Sequence, residues 1–184
     1  MPTRQITTLT LLVVAACFLS SAFATTLFAF DSADAVSSWF SVDDRVMGGV
    51  SVSQMSYAGD GVALFSGDMS LDNNGGFASV RFTENVYNLS DFTGIELRVK
   101  GENMTYQFRF QTDVARISYT QSFVAPAEWT TIKLPFDAFE ATFFGRSVSN
   151  APQMNTSFLR TLTFMLSDGQ AGEFELLIDS IKVY

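Results

Sequence analysis

The stretch GIELRVKGENMTYQFRFQ, residues 94–111, carries the clearest structural signal in the sequence. Every second residue from Ile95 to Val99 is apolar and the residues between are charged, which places the apolar side chains on one face of a β-strand. The second half repeats this alternation with aromatic residues. Glu102 and Asn103, which lie between the halves, have turn-forming chemistry. We therefore predict two amphipathic strands that pair as a β-hairpin.

Short runs of the same kind continue through the chain and are separated by Gly, Asn, Asp and Pro. These runs are residues 27–30, 62–66, 77–82, 94–101, 106–111, 118–124, 130–134, 161–166, 173–178 and 181–184. Helix signals are weak, with one or two turns at 32–38 and another at 137–140. The pattern predicts a single all-β domain over residues 25–184, a two-sheet antiparallel sandwich with jelly-roll connectivity.

The composition narrows the classes of function. The 184 residues include 19 Phe, no His and one Cys, and the formal net charge is −8. Without His, the Ser-His-Asp and Cys-His catalytic arrangements and the usual zinc sites are excluded. Scattered basic residues on an acidic chain argue against nucleic-acid binding. We predict a protein that binds a partner, with no catalytic residue, no cofactor and no metal.

The amino terminus has the features of a secretory signal peptide over residues 1–24. Arg4 precedes an apolar run at residues 9–19, and Ala22 and Ala24 supply small residues for cleavage before residue 25. The run is short for a membrane span. We predict an exported protein, periplasmic or extracellular, with no transmembrane segment after cleavage. An alternative is a lipoprotein signal in which Cys17 carries a lipid anchor.

The first of three segments that do not alternate covers residues 42–51. Its candidate partner- or ligand-binding residues are Asp44, Arg45, Met47, Gly48 and Gly49. Paired glycines allow close backbone approach, and Met is an adaptable apolar contact. The segment is therefore either a binding loop or a surface loop closed by an internal Asp–Arg pair.

Two further segments share this character. Residues 70–81 include Asn73, Asn74 and Arg81 as candidate contacts, and their Asp-Asn-Asn-Gly-Gly run fits a tight turn better than a calcium loop, because the spacing is not that of an EF-hand. Residues 135–146 hold four Phe, which either cover the core or form an apolar patch. Arg146 follows Gly145 and is a further candidate contact.

Together these segments resemble the complex I intermediate-associated protein 30 family. The resemblance rests on residues 44–51 (DRVMGGVS), 65–67 (FSG), 73–81 (NNGGFASVR), Trp129, 134–136 (LPF), 144–146 (FGR) and 168–174 (DGQAGEF). It implies a galactose-binding-like sandwich and a non-enzymatic role. Named mitochondrial members help to assemble respiratory complex I, whereas the export signal predicts another compartment, so the resemblance implies an assembly or binding factor without naming its client.

Two binding functions follow, and a third hypothesis is catalytic. The first is a factor that binds a protein client through the Met47 loop. The alternative is a carbohydrate-binding module, in which Trp39, Asn73, Asn74, Arg81 and Arg146 contact a glycan, while Trp129 packs inside the domain. The third is a glycoside hydrolase, which requires two carboxylates facing each other in an open cleft.

Overall fold

A computed structural model describes residues 24–167 and 169–184 of the chain. Most of the predicted signal peptide, Cys17 and Asp168 lie outside the described residues. The strands are β1 (Thr25–Ala29), β2 (Phe40–Ser41), β3 (Val52–Gly59), β4 (Val62–Met69), β5 (Ala78–Tyr87), β6 (Gly94–Lys100), β7 (Met104–Gln111), β8 (Ser118–Ala125), β9 (Thr130–Pro135), β10 (Glu140–Phe143), β11 (Arg146–Ser147), β12 (Leu159–Leu166) and β13 (Gly172–Val183). A short helix, α1 (Asp34–Ser37), and 3-10 turns at Asp44–Met47, Asp72–Asn74 and Phe136–Ala138 complete the elements.

The strands form two antiparallel sheets. The six-stranded sheet has the order β3-β4-β13-β6-β9, with β1 also paired to β13. The seven-stranded sheet has the order β11-β10-β8-β7-β12-β5-β2. The predicted all-β two-sheet sandwich is therefore confirmed. Among the described residues, no helix is both long and apolar enough to cross a membrane.

The core lies between the inner faces of the two sheets and is rich in aromatic rings. The ring centroids of Phe65 and Phe174 in the six-stranded sheet are 4.9 Å apart. On the other sheet, Phe108 packs edge-on against Phe110 and Phe164 at 5.1 and 5.0 Å. Edge-to-face ring pairs fill a wide intersheet gap efficiently, so the many Phe residues serve mainly to hold the sheets together.

The predicted hairpin between β6 and β7 is wrong. β6 pairs with β13 and β9 in one sheet, whereas β7 pairs with β12 and β8 in the other. The apolar faces of the two strands meet across the core rather than lying side by side. The chain changes sheets at Gly101, where a Cβ atom would lie 2.7 Å from the Cβ of Ala125, and at Asn103, whose φ is +63°. Alternation predicts which face is buried but not which strand is the neighbour.

Three local predictions also need correction. The sequence does not predict β3, because residues 50–59 (VSVSQMSYAG) are rich in Ser and Gln. β3 lies at the edge of its sheet and pairs only with β4 in the described sheets. The last two predicted strands are one strand, β13, with an irregular register after Ile178. The four Phe residues of 135–146 have two different roles. Phe136 and Phe139 pack into the core, whereas Phe143 and Phe144 are exposed at the β10–β11 hairpin.

Candidate functional site

An open cleft of about 670 Å³ lies over the outer face of the seven-stranded sheet. It is lined by Val42, Val46, Met47, Gly76, Phe77, Arg81, Gln107, Arg109, Gln111, Arg116, Ser118, Phe143, Phe144, Gly145, Thr163, Met165 and Ser167. The three segments that did not alternate in the sequence each contribute to it. The segments that connect strands therefore converge on one surface, and the remaining lining residues lie mostly on strands.

Strand register builds the polar floor of the cleft. Thr163 on β12 lies between Arg81 on β5 and Arg109 on β7, and Arg109 lies opposite Thr120 on β8. Side chains directly opposite one another on antiparallel strands share a face. Because the alternate residues of these strands fill the core, the polar residues between them must point outward. The floor is thus a row of hydroxyl and guanidinium groups, with amides beside it.

The buried carboxylate of Asp44 fixes the first loop to the second. Its Oδ1 accepts a hydrogen bond from the Ser51 amide at 2.9 Å, and its Oδ2 accepts one from the Ser51 hydroxyl at 2.6 Å. Oδ2 also accepts the amides of Gly76 at 2.7 Å and Phe77 at 3.4 Å. Burial raises the pKa of Asp44, but the hydrogen bonds from the Ser51 side chain and these amides outweigh it, and the net pKa is lowered.

The glycines around Asp44 leave no room for a side chain. A Cβ atom at Gly75 would lie 2.6 Å from Asp44 Oδ2, and one at Gly49 would overlap the same carboxylate. Gly48 has a φ of +95° and ends the 3-10 turn. The motif spanning residues 44–51 therefore builds a rigid loop, and its glycines act by letting the carboxylate approach the backbone.

The neighbouring carboxylate, Asp43, ties the same loop to the sheets. It accepts the Ser53 hydroxyl at 2.6 Å, the Ser53 amide at 2.9 Å and the Ser79 amide at 3.0 Å. Ser53 lies on β3 and Ser79 on β5, which belong to different sheets. The two adjacent acids thus both satisfy buried backbone donors, and neither faces the cleft.

The cleft has an apolar rim on two sides. Val46 and Met47 on the Asp44 loop are 70% and 59% exposed. Phe144, at 82% exposure, is the first turn residue of the β10–β11 hairpin, and its φ of +48° with +74° at Gly145 is typical of a two-residue type I′ turn. Large apolar groups this exposed over a polar floor are typical of a binding surface.

Arg81 and Arg109 lie in the cleft floor, and neither forms an ion pair with a carboxylate in the part of the chain that the structure describes. Arg109 donates from Nε to the Thr120 hydroxyl at 3.0 Å and from Nη2 to the Thr142 hydroxyl at 3.3 Å. Burial, together with the nearby charge of Arg81, lowers the pKa of Arg109 to about 10. Burial also lowers the pKa of Arg81, which the charge of Asp43 partly offsets. Arg81 Nε is buried and has no hydrogen-bond partner in the described part of the chain.

Of the nine residues predicted as contacts, Met47 and Arg81 line the cleft. Asp44 is fully buried and cannot touch a ligand, which corrects its predicted role as a polar anchor. It also forms no ion pair with Arg45 among the described residues, so the predicted Asp–Arg pair is wrong. The remaining candidates are absent from the lining: Arg45, Gly48, Gly49, Asn73, Asn74 and Arg146.

The two asparagines have a structural role that the sequence also predicted. Asn73 and Asn74 have φ values of +56° and +60°, the left-handed conformation that Asn tolerates. They end a turn between β4 and β5, which lie in different sheets, so this connection is not a hairpin. Within the described residues, no group of His, Cys, Asp and Glu could hold a metal ion.

Both tryptophans lie away from the positions predicted for them. Trp39 is buried against Phe28, Phe82 and Phe164, so it cannot serve as a glycan platform. Trp129 does not pack inside: it is 36% exposed, and the guanidinium of Arg98 lies 5.7 Å from its ring centroid. It precedes β9, in the six-stranded sheet.

Several cleft residues were not identified as candidates from the sequence. The sequence pattern predicts only that the solvent-exposed face of a strand carries Gln107, Arg109 and Gln111. It places Thr163 and Met165 in a strand and assigns them no further role. The side-chain chemistry of that exposed face is the feature of the sequence that could have indicated a binding site. β7 presents two amides around one guanidinium, whereas β6 presents charges of both signs. No Asp or Glu occurs in the described lining, which gives the hydrolase hypothesis no carboxylate pair there.

Comparison with known proteins identifies the family. The model described as Complex I intermediate-associated protein 30 matches residues 28–178. The chain belongs to this family. A Schizosaccharomyces pombe protein described as uncharacterized is 29% identical over 164 residues, and the match covers 77% of this chain and 75% of the yeast protein.

Solved structures similar to this member of the complex I intermediate-associated protein 30 family include carbohydrate-binding modules and, over about a quarter of their length, agarases. The family 11 module of the cellulase Lic26A-Cel5E from Clostridium thermocellum aligns with a TM-score of 0.68 and 17% identity, covering 89% of this chain and 95% of the module. A family 11 module from Clostridium thermocellum in complex with a β-1,3-1,4-mixed-linked tetrasaccharide aligns with a TM-score of 0.65 and 17% identity, covering 89% of this chain and 96% of the module. A family 29 module aligns with a TM-score of 0.53 and 10% identity, covering 88% of this chain and 87% of the module. These similarities confirm the galactose-binding-like jelly roll.

Proposed function

We propose that this protein is a non-catalytic binding protein whose cleft on the seven-stranded sheet takes a glycan. The observation that carries the proposal is the combination of a polar floor and apolar rims in one open cleft. Glycans present hydroxyl groups at the ring edge and C–H groups on the ring faces. A site for them therefore needs hydrogen-bonding side chains beside apolar surface.

The floor can supply both donors and acceptors. The side-chain amides of Gln107 and Gln111 each offer an acceptor oxygen and two N–H donors, and the Ser118 hydroxyl offers both functions. Met47 and Phe143 stand at opposite rims, where they can contact ring faces. The glycan complex of the clostridial family 11 module shows that a sandwich of this kind can bind an oligosaccharide.

A glycan array probed with the purified protein tests this proposal. We expect binding to at least one class of oligosaccharide, and a Gln107→Ala, Gln111→Ala double variant should bind about 10-fold more weakly or worse, because two polar contacts are lost. The matched control is Gln54→Ala, an exposed amide on β3 of the six-stranded sheet. An array without hits, or equal weakening by the control, would refute the proposed site.

A second candidate function is an assembly factor that binds a protein client, as family membership implies. The observation that favours it is the exposed apolar rim, Val46, Met47 and Phe144. Affinity capture with the wild type and with a Met47→Ser, Phe144→Ser variant tests it. A client recovered by the wild type alone supports this function, and equal recovery by both proteins contradicts this surface as the docking site.

Export of the protein is part of the proposal. It rests on the pattern of residues 1–24, with Cys17 as the alternative site of lipid attachment. Fractionation of the source cells, followed by mass spectrometry of the mature amino terminus, tests both. A terminus at residue 25 supports signal cleavage, a lipid-modified Cys17 supports the anchor, and recovery of intact Met1 in the cytosol contradicts export.

A further inference from the structure

The charge of the cleft is opposite to that of the whole chain. The protein carries a formal charge of −8, yet the described cleft lining holds Arg81, Arg109 and Arg116 and no carboxylate. In the part of the chain that the structure describes, the ion pairs are Arg98–Asp179 and Lys133–Glu96, both in the six-stranded sheet. Among the described residues, none of the three cleft arginines therefore forms an ion pair with an acid.

Arg109 is held in place by neutral groups. Besides its bonds to Thr120 and Thr142, its Nη1 lies 2.8 Å from the sulfur of Met165. Thr120 and Thr142 are also 3.1 Å apart at their Oγ1 atoms, which fixes both acceptors. A guanidinium has five N–H donors, and three are used here. The group is thus oriented in the floor without an ion-pair partner among the described residues.

Arg81 is a second cation close to the first. It shares the row of Thr163 and Arg109 on the outer face of the sheet, and its charge lowers the pKa of Arg109. The carboxylate of Asp43 acts on Arg81 through its charge, but its oxygen atoms accept hydrogen bonds from Ser53 and Ser79. The two like charges share one face with Thr163 between them, so they repel each other, and an anion that binds between them would relieve this repulsion.

We propose that the ligand of this cleft is an acidic glycan, whose carboxylate or sulfate group binds between Arg81 and Arg109. The inference rests on the proposed function and specifies its ligand class. The planar guanidinium matches the oxygen atoms of both anions, and hydrogen bonds between ionised partners are about twice as strong as neutral ones. Arg116, on the exposed β7–β8 connection, adds charge at the same cleft.

A titration with matched acidic and neutral oligosaccharides tests this inference. Isothermal calorimetry compares tetragalacturonate, its methyl ester, a sulfated galactose tetrasaccharide and a neutral mixed-linked β-1,3-1,4 tetrasaccharide. We expect one of the acidic probes to bind about 10- to 100-fold more tightly than both neutral ones. Added salt should weaken that binding and leave binding of the ester unchanged.

Variants place the effect in the cleft. An Arg81→Gln, Arg109→Gln double variant should lose the preference for the acidic probe. A Lys100→Gln, Lys182→Gln double variant, which removes the same two positive charges on β6 and β13 of the other sheet, should keep it. An Arg81→Lys variant retains the charge without the planar fork and should keep part of the preference. Circular dichroism and thermal melting confirm that each variant is folded.

The outcomes separate this inference from the proposed function. Tight tetragalacturonate binding identifies a carboxylate as the anionic group, and tight binding of the sulfated probe alone identifies a sulfate. Equal affinity for acidic and neutral probes overturns the inference and leaves glycan binding intact. Binding of no probe here and no hit on the array overturns both. A preference for acidic probes that survives in the double variant overturns the assignment to these arginines.

Discussion

Replacing Asp44 by Asn should strongly destabilise the protein, because this buried carboxylate satisfies several donors at once. Three of its hydrogen bonds are 2.9 Å or shorter, two from Ser51 and one from Gly76. A hydrogen bond to a charged group contributes about 1.5–3 kcal/mol. Asn keeps one acceptor oxygen but turns an NH₂ group toward N–H donors. We expect a loss of about 3–5 kcal/mol, which lowers the melting temperature by about 6–20 °C.

Thermal melting followed by circular dichroism measures this loss, and its dependence on pH gives a second check. The pKa of Asp44 lies below its ordinary value of 3.8, so its stabilisation is present above that pH and is lost as the pH falls through the lower folded-state value. The difference in melting temperature between the wild type and Asp44→Asn should therefore become smaller in strong acid. The control is Asp72→Asn, an exposed carboxylate at the neighbouring turn, which should change stability by less than about 0.5 kcal/mol.

Equal melting temperatures for the wild type and Asp44→Asn at neutral pH would refute this reasoning. So would a gap between them that widens as the solution is acidified. Either result would mean that the carboxylate is not the group that joins the two loops beside the cleft.

Three further substitutions test the packing of the loops, the charge of the cleft and its apolar rim. Gly75→Ala should destabilise the protein by about 2 kcal/mol in thermal melts, since its Cβ would lie 2.6 Å from Asp44 Oδ2; unchanged melting would contradict the tight packing. Arg109→Met should raise stability by about 1 kcal/mol in urea denaturation and abolish binding of acidic glycans, because it removes a buried positive charge that has no ion-pair partner among the described residues; a lower stability of the variant would contradict this reasoning. Phe144→Asn should stabilise the β10–β11 hairpin by about 1 kcal/mol, because Asn-Gly suits a type I′ turn, yet weaken glycan binding; unaltered binding would exclude Phe144 from the rim.

The sequence predicts what depends on local chemistry. The alternation from Ile95 to Val99 identifies a strand and its buried face, because side chains on a strand alternate with a period of two. The left-handed conformations of Asn73 and Asn74 follow in the same way from the tolerance of Asn for positive φ. Such features need no knowledge of distant parts of the chain.

What the sequence does not predict depends on contacts between distant segments. β6 pairs with β9 and with β13, which begins about 80 residues later, so alternation alone wrongly pairs β6 with β7. Asp44 resembles a surface acid until Gly76, 32 residues away, donates to it. Arg109 resembles any solvent-facing residue of an amphipathic strand until the loops at Met47 and Phe144 enclose the surface above it. The sequence therefore shows the polar chemistry of β7 but not the cleft that the fold assembles around it.

The proposed location of the bound ligand is the outer face of the seven-stranded sheet. An NMR titration of the backbone amides with the best-binding acidic oligosaccharide locates the ligand on the protein. We expect the largest chemical-shift changes on adjacent strands of this sheet, at Arg81, Gln107, Arg109 and Thr163. Shifts concentrated around Trp129 and Arg98 on the six-stranded sheet would contradict it.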